Sequence, residues 1–167
     1  MPNDLLRLQS LASASVRLST AAEQNPLKFF MPSPVQKRVL EDTSNIVLLR
    51  GGNQIGKTIT MCFEVHSRCL GLHRFKKVKH PPIEVWIIVH SWEQSKVIQK
   101  KFWDMAPKNQ LHPDTEYIPG KGFRGKYPTV RYKNGSIVYF KTTGQGTLGV
   151  ASGSVDFVAV DEPPPPD

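Results

Sequence analysis

The 167-residue chain carries 22 Lys+Arg against 14 Asp+Glu, a formal charge of +8, with 39% hydrophobic and 22% charged residues. That length suits one domain and that composition a folded chain rather than a disordered one, while the positive balance points to an anionic partner such as nucleic acid. No apolar run approaches the ~18–20 residues of a membrane helix, the N-terminus lacks the basic region and apolar core of a secretory signal, and two cysteines cannot build a disulfide framework.

Residues 1–24 are small, apolar and weakly charged; Leu5, Leu6, Leu8, Leu11 and Val16 predict one amphipathic helix or two short ones, packed on the domain that follows. Three prolines between Asn25 and Pro34 predict an extended connector, and residues 35–42 a short helix. Ile46-Val47-Leu48-Leu49 reads as a buried strand, followed by a glycine-bearing loop and a helix from about Lys57 to Leu72. Arg74 to His80 is basic and solvated. Ile83 to Val89 is a second buried strand whose lack of alternation fits a parallel sheet covered on both faces. Ser91 and Gln94 form an S-x-x-Q capping box that opens a helix to about Trp103. Residues 105–127 read as loop. Val130–Lys133 and Ser136–Phe140 flank Asn134-Gly135, a two-residue hairpin signal. A Gly/Ser/Thr-rich loop leads to a third buried strand, Val155 to Val160. Strands alternating with helices indicate an α/β fold with a mainly parallel sheet flanked by helices.

The segment Gly51-Gly52-Asn53-Gln54-Ile55-Gly56-Lys57-Thr58 fits G-x-x-x-x-G-K-[ST] at every fixed position, between a predicted strand and a predicted helix. Glycines at both ends let successive backbone N–H groups turn towards a phosphate, and the helix N-terminus adds positive potential. Lys57 can reach the β- and γ-phosphates of ATP and Thr58 can offer its hydroxyl to Mg²⁺. Such a loop needs an acid at the end of a neighbouring apolar strand. Phe157-Val158-Ala159-Val160-Asp161-Glu162 ends in two. Asp161 would hold Mg²⁺ and Glu162 would act as general base on the attacking water, which favours hydrolysis over kinase-type transfer.

With these motifs the chain resembles the ATPase domain of the large terminase subunit, the DNA-packaging motor of tailed bacteriophages. Three stretches carry the resemblance: Phe29-Phe30-Met31-Pro32-Ser33-Pro34-Val35-Gln36, similar to an adenine-reading Q motif; the phosphate loop; and the run from Ile137 through Gly144-Gln145-Gly146 to Val155-Asp156-Phe157-Val158-Ala159-Val160-Asp161-Glu162-Pro163-Pro164. The resemblance implies a P-loop NTPase domain over residues 29–167 behind an N-terminal helical segment, 1–28. It also implies an ATP-binding set of Gln36, Gly51, Gly52, Asn53, Gln54, Ile55, Gly56, Lys57 and Thr58, with Thr58 and Asp161 on Mg²⁺ and Lys57 and Glu162 catalytic. Gln36 would contact the adenine edge, or else be an ordinary helix-surface glutamine. Implied partners are double-stranded DNA, the portal protein, the small terminase subunit and further copies of the chain, in the host cell cytoplasm. The family's motor domain continues beyond the Asp-Glu strand into a coupling motif and a nuclease domain, so the sequence reads as incomplete at the C-terminus, an N-terminal fragment or a truncated gene product.

No arginine lies inside the loop. Arg50 precedes it, and Arg124 and Arg131 are candidate trans-acting fingers between which spacing does not choose. Basic clusters at Arg74, Lys76, Lys77, Lys79, at Lys96, Lys100, Lys101, and at Lys121, Arg124, Lys126, with Phe75, Trp103 and Phe123 interspersed, read as DNA-phosphate contacts or, lysine by lysine, as solvated faces. Cys62, His66, Cys69 and His73 share a helical stripe, but span about three turns, too far for one tetrahedral ion, so they read as a packing face. Two other functions fit the same motifs: a helicase-like ATPase core, and a non-catalytic nucleotide- or DNA-binding remnant.

Overall fold

A six-residue apolar strand with parallel partners on both edges organises the computed structural model, which describes residues 2–52, 55–145 and 154–161. This central strand is β1 (Glu84–Val89). With β4 (Thr129–Arg131), β5 (Ile137–Thr142) and β6 (Phe157–Val160) it forms one sheet in the order β4-β5-β1-β6, parallel except for β4. A second, two-stranded sheet pairs β2 (Tyr117–Ile118) with β3 (Gly122–Phe123) inside the segment expected to be loop. The helices are α1 (Pro2–Gln24), α2 (Pro34–Glu41), α3 (Lys57–Leu70) and α4 (Trp92–Met105). No helix is long and apolar enough to cross a membrane, among the described residues.

Because strand side chains alternate, Val85, Ile87 and Val89 of β1, Val138 and Phe140 of β5 and Ala159 of β6 share one face. They join Cys62, Phe63, Val65 and Cys69 of α3 and Ile98 and Phe102 of α4 in one core. The opposite face of β1 is closed by Trp86, whose ring lies 3.5 Å under the Lys141 ammonium. Cover on both faces therefore holds at β1, but Val158 and Val160 of β6 are 40% and 57% exposed.

The expected strand Ile46–Leu49 does not form: residues 45–50 pair with no strand among the described residues, and Ile46 and Leu48 are 88% and 74% exposed. Apolar and β-branched residues favour extended backbone, but a strand exists only where a neighbour takes up its N–H and C=O groups. At the N-terminus α1 is one helix, as its composition suggests, but it does not pack on the domain; Leu6, Leu8, Leu11, Val16 and Leu18 are all exposed. At ~100° per residue these five spread over about two-thirds of the circumference, so no single stripe exists to bury. Between Asn25 and Pro34 the chain is not wholly extended, since Pro26–Phe29 makes a 3₁₀ turn that buries Leu27. The β4–β5 hairpin forms where Asn134-Gly135 announced it, with a three-residue turn instead of two. Tyr132 and Ser136 close it by a backbone bond of 2.9 Å, and Gly135 takes φ +88°, the left-handed step that glycine allows.

Candidate functional site

The phosphate-loop motif ends at the N-terminus of α3. Gly56 caps that helix at φ +82°, and the place a Cβ would occupy is filled by the Gln36 side-chain amide, so backbone and packing both demand glycine. Lys57 and Thr58 follow in the first turn. The Lys57 ammonium is turned back onto its own loop, donating to the carbonyls of Gly51 at 2.7 Å and Gly52 at 3.0 Å. Thr58 Oγ1 donates to Asp161 Oδ2 at 3.4 Å, across 103 residues of sequence. Asp161 is placed by the ladder of β6 on β1, since its N–H donates to the Ile88 carbonyl at 3.1 Å. The start of α3 and the C-terminal end of β6 thus meet where the motifs require a lysine, a hydroxyl and a carboxylate together. Cys62, one turn further along α3, feels the same carboxylate: burial first, and then the Asp161 charge, push its thiol well above the usual range. Ile55 is exposed beside the loop, while Asn53, Gln54 and Glu162 lie outside the described residues.

A second connection reaches the loop from α2. The Ser33 N–H donates to Gln36 Oε1 at 2.8 Å and Ser33 Oγ accepts from the Gln36 N–H, a reciprocal capping box. Because an N–H faces one end of the amide, the other end carries the NH₂ group, which donates to the Gly56 carbonyl at 3.3 Å. Gln36 is 8% exposed and so not a surface glutamine. Ser33-Pro34-Val35-Gln36 carries the same S-x-x-Q signature as Ser91–Gln94, and that signal could have found the cap. At α4 the reciprocal bond is displaced by one residue, Gln94 Oε1 accepting from the His90 N–H.

The basic run 74–79 is not a solvated face throughout. Glu64 of α3 collects Arg68 at 2.7 Å, His73 at 2.8 Å and Lys76 at 2.9 Å. Burial pushes the Glu64 carboxyl up, but the hydrogen bonds and charges of His73 and Lys76 outweigh it and hold it down at about 2. Lys76 also donates to the Asp42 carbonyl and Arg74 to that of Phe30, which ties this segment to the chain either side of α2. Lys79 pairs with Asp156. The interspersed aromatics pack inward: the half-buried Phe75 lies on Phe63, the half-buried Trp103 stacks on Tyr117 at 5.4 Å, and the buried Phe123 contacts both Phe102 and Phe140. Arg74, Lys77 and Lys79 stay exposed in this run, and the other exposed cationic clusters lie on α4 (Lys96, Lys100, Lys101) and around β3 (Lys121, Arg124, Lys126). These two elements are joined by Trp103 on Tyr117 and by the Phe123 N–H donating to Gln99 Oε1 at 2.8 Å. Lys100 pairs with Asp104 and Arg124 with Glu116.

The stripe on α3 is internal: Cys62, His66 and Cys69 are fully buried, and His73 bonds Glu64. Arg50 is exposed at the start of the loop. Arg131 pairs with Ile137, opposite the first residue of β1, and so lies at the far end of the sheet from Asp161. Two shallow cavities of about 300 and 280 Å³ also lie there, lined by residues such as His112 and Arg131 or Glu84 and Asp156, and neither includes Lys57, Thr58 or Asp161. Scanned against protein-family models, the chain finds no match, and searches of curated proteins and of solved structures likewise return no similar chain.

Proposed function

We propose that this chain is a P-loop ATPase module of the large-terminase kind, which binds MgATP between the loop at 51–58 and Asp161 and couples its hydrolysis to the movement of double-stranded DNA. The observation that carries the reading is the bond from Thr58 Oγ1 to Asp161 Oδ2 at the N-terminus of α3, with the Lys57 ammonium on the same loop. A hydroxyl and a carboxylate oxygen are the hard donors Mg²⁺ takes, with its other positions left to phosphate and water. When bound, the metal neutralises charge on the phosphate oxygens. The protein's own part is positional. Thr58 and Asp161 hold the metal side, and Lys57 exchanges the Gly51 and Gly52 carbonyls for phosphate oxygens of higher charge. The N–H groups that open α3 point at the same place. Glu162, adjacent to Asp161, takes the proton from the attacking water.

The DNA assignment rests on the resemblance and on the cationic surface shared by α4 and the β2–β3 hairpin. The portal protein, the small terminase subunit and further copies of the chain are partners proposed on the resemblance alone, as is assembly in the host cytoplasm. A second reading, nucleotide binding without turnover, has one observation on its side: Ile46–Leu49, the segment leading into the loop, is held by no ladder among the described residues.

Calorimetric titration with MgATP and a phosphate-release assay test both. The intact chain should bind MgATP. Lys57→Ala should weaken binding about 10- to 100-fold, the value of one or two charge-assisted bonds. Glu162→Gln should keep binding and lose turnover. Equal affinity in Lys57→Ala rejects the site, and binding without turnover in the unaltered chain selects the second reading.

A further inference from the structure

We infer that Gln36 is a positioning residue that sets the phosphate loop, acting on the phosphates whatever base they carry; this rests on the proposed nucleotide site. Its amide is committed in two directions. Oε1 accepts the Ser33 N–H at 2.8 Å and the NH₂ group donates to the Gly56 carbonyl at 3.3 Å. A glutamine amide offers two N–H donors and two oxygen lone pairs, and these contacts occupy one of each. The residue reached is the hinge of the site: Gly56 carries the loop's left-handed step, and its carbonyl also accepts from the Thr60 N–H and the Thr60 hydroxyl, both at 2.9 Å. Thr60 lies two residues beyond Thr58, so the carbonyl held by Gln36 anchors the turn that presents Lys57 and Thr58. The amide of Gln36 also fills the space beside Gly56 that a Cβ would need, so the loop cannot relax towards α2 without displacing it. Because Gln36 is itself fixed by the Ser33 capping box, α2 and the loop behave as one clasped unit.

The clasp predicts that the identity of the base is irrelevant to what Gln36 contributes. The test compares MgATP with magnesium tripolyphosphate, which has the phosphates and no base, by calorimetric titration of the intact chain and of two variants. Gln36→Glu keeps an oxygen for the Ser33 N–H and loses the donor to Gly56; Gln36→Ala loses both. A thermal melt of each variant checks that it is folded, and Gln36→Glu retains the cap that Gln36→Ala lacks. Both ligands should weaken by the same factor, about tenfold, in both variants. Loss of MgATP affinity with tripolyphosphate affinity unchanged would overturn the inference and make Gln36 a reader of adenine. Unchanged affinity for both would overturn it too. If the unaltered chain binds neither ligand, the nucleotide site itself falls, an outcome distinct from the other two.

Discussion

His66 lies midway along α3 with no exposed surface, its Nε2 2.9 Å from the Phe102 carbonyl and its Nδ1 2.6 Å from the Tyr132 hydroxyl. A carbonyl only accepts, so Nε2 carries the proton and Nδ1 accepts from Tyr132. The ring stacks on Phe102 at 3.8 Å between centroids, which makes one neutral imidazole the junction of α3, α4 and the β4–β5 hairpin. Burial is the main reason its pKa falls to about 3; the Phe102 carbonyl works against that and the Lys108 charge adds to it. The unfolded chain takes up this proton near pH 6.5 and the native one does not. Stability from His66 is therefore complete above pH 6.5 and is lost progressively as pH falls from there towards 3. At ~1.4 kcal/mol per pH unit the loss by pH 5 is roughly 2 kcal/mol. Urea unfolding at pH 7 and pH 5 checks this: the unaltered chain should lose about that much more than His66→Gln, which lacks only this imidazole. Equal losses in the two proteins would mean that the buried imidazole is not the acid-sensitive group.

Elements differed in how well the sequence announced them, and the difference follows the range of the interactions that make them. Caps and turns are local. Ser91 with Gln94 opened α4, and Asn134-Gly135 turned the β4–β5 hairpin, with its turn length set by the left-handed Gly135. Ile46–Leu49 and Ile83–Val89 look alike as apolar runs, but only the second finds strands on both edges, and nothing within either run records that. The apolar count of α1 suggested packing, whereas the angles of Leu6, Leu8, Leu11, Val16 and Leu18 round the helix oppose it. From Leu6 to Gln24 only Ala22 is even half-buried, so removing α1 takes away no core residue among those whose burial is described. A chain beginning at Gln24 should melt within about 3 °C of the intact one, the shift that about 1 kcal/mol produces in a domain of this size, while losing the helical circular-dichroism signal of α1. A fall of about 10 °C would mean that α1 docks on the domain in solution.

At the scale of the whole molecule the candidate site is a joint between distant parts of the chain, and this decides how much of it could be read in advance. The residue types were legible because Gly51, Gly56, Lys57 and Thr58 keep fixed local spacing and Asp161 ends an apolar strand. That Thr58 would meet Asp161 follows only from α3 packing on the sheet face shared by Val85, Ile87 and Ala159, a long-range fact. The Lys57 bonds to Gly51 and Gly52 and the Gln36 clasp depend on loop geometry that motif spacing leaves open. A ligand held at such a joint contacts both α3 and the end of β6, and so binds only when the sheet and helix are assembled. It must then stabilise the whole fold, by about 2.7 kcal/mol at a free concentration 100 times its dissociation constant. For a domain of this size that corresponds to a rise of about 5–10 °C in Tm. Thermal melts with MgATP should show that rise, and melts with ATP and a chelator a smaller one, because Thr58 and Asp161 then face phosphate without the cation. Asp161→Asn should bring the two conditions together, since the carboxylate that distinguishes them is gone. Equal rises with and without Mg²⁺ in the unaltered chain would place the nucleotide away from Asp161, and no rise at saturating MgATP would remove ATP from the account of this protein.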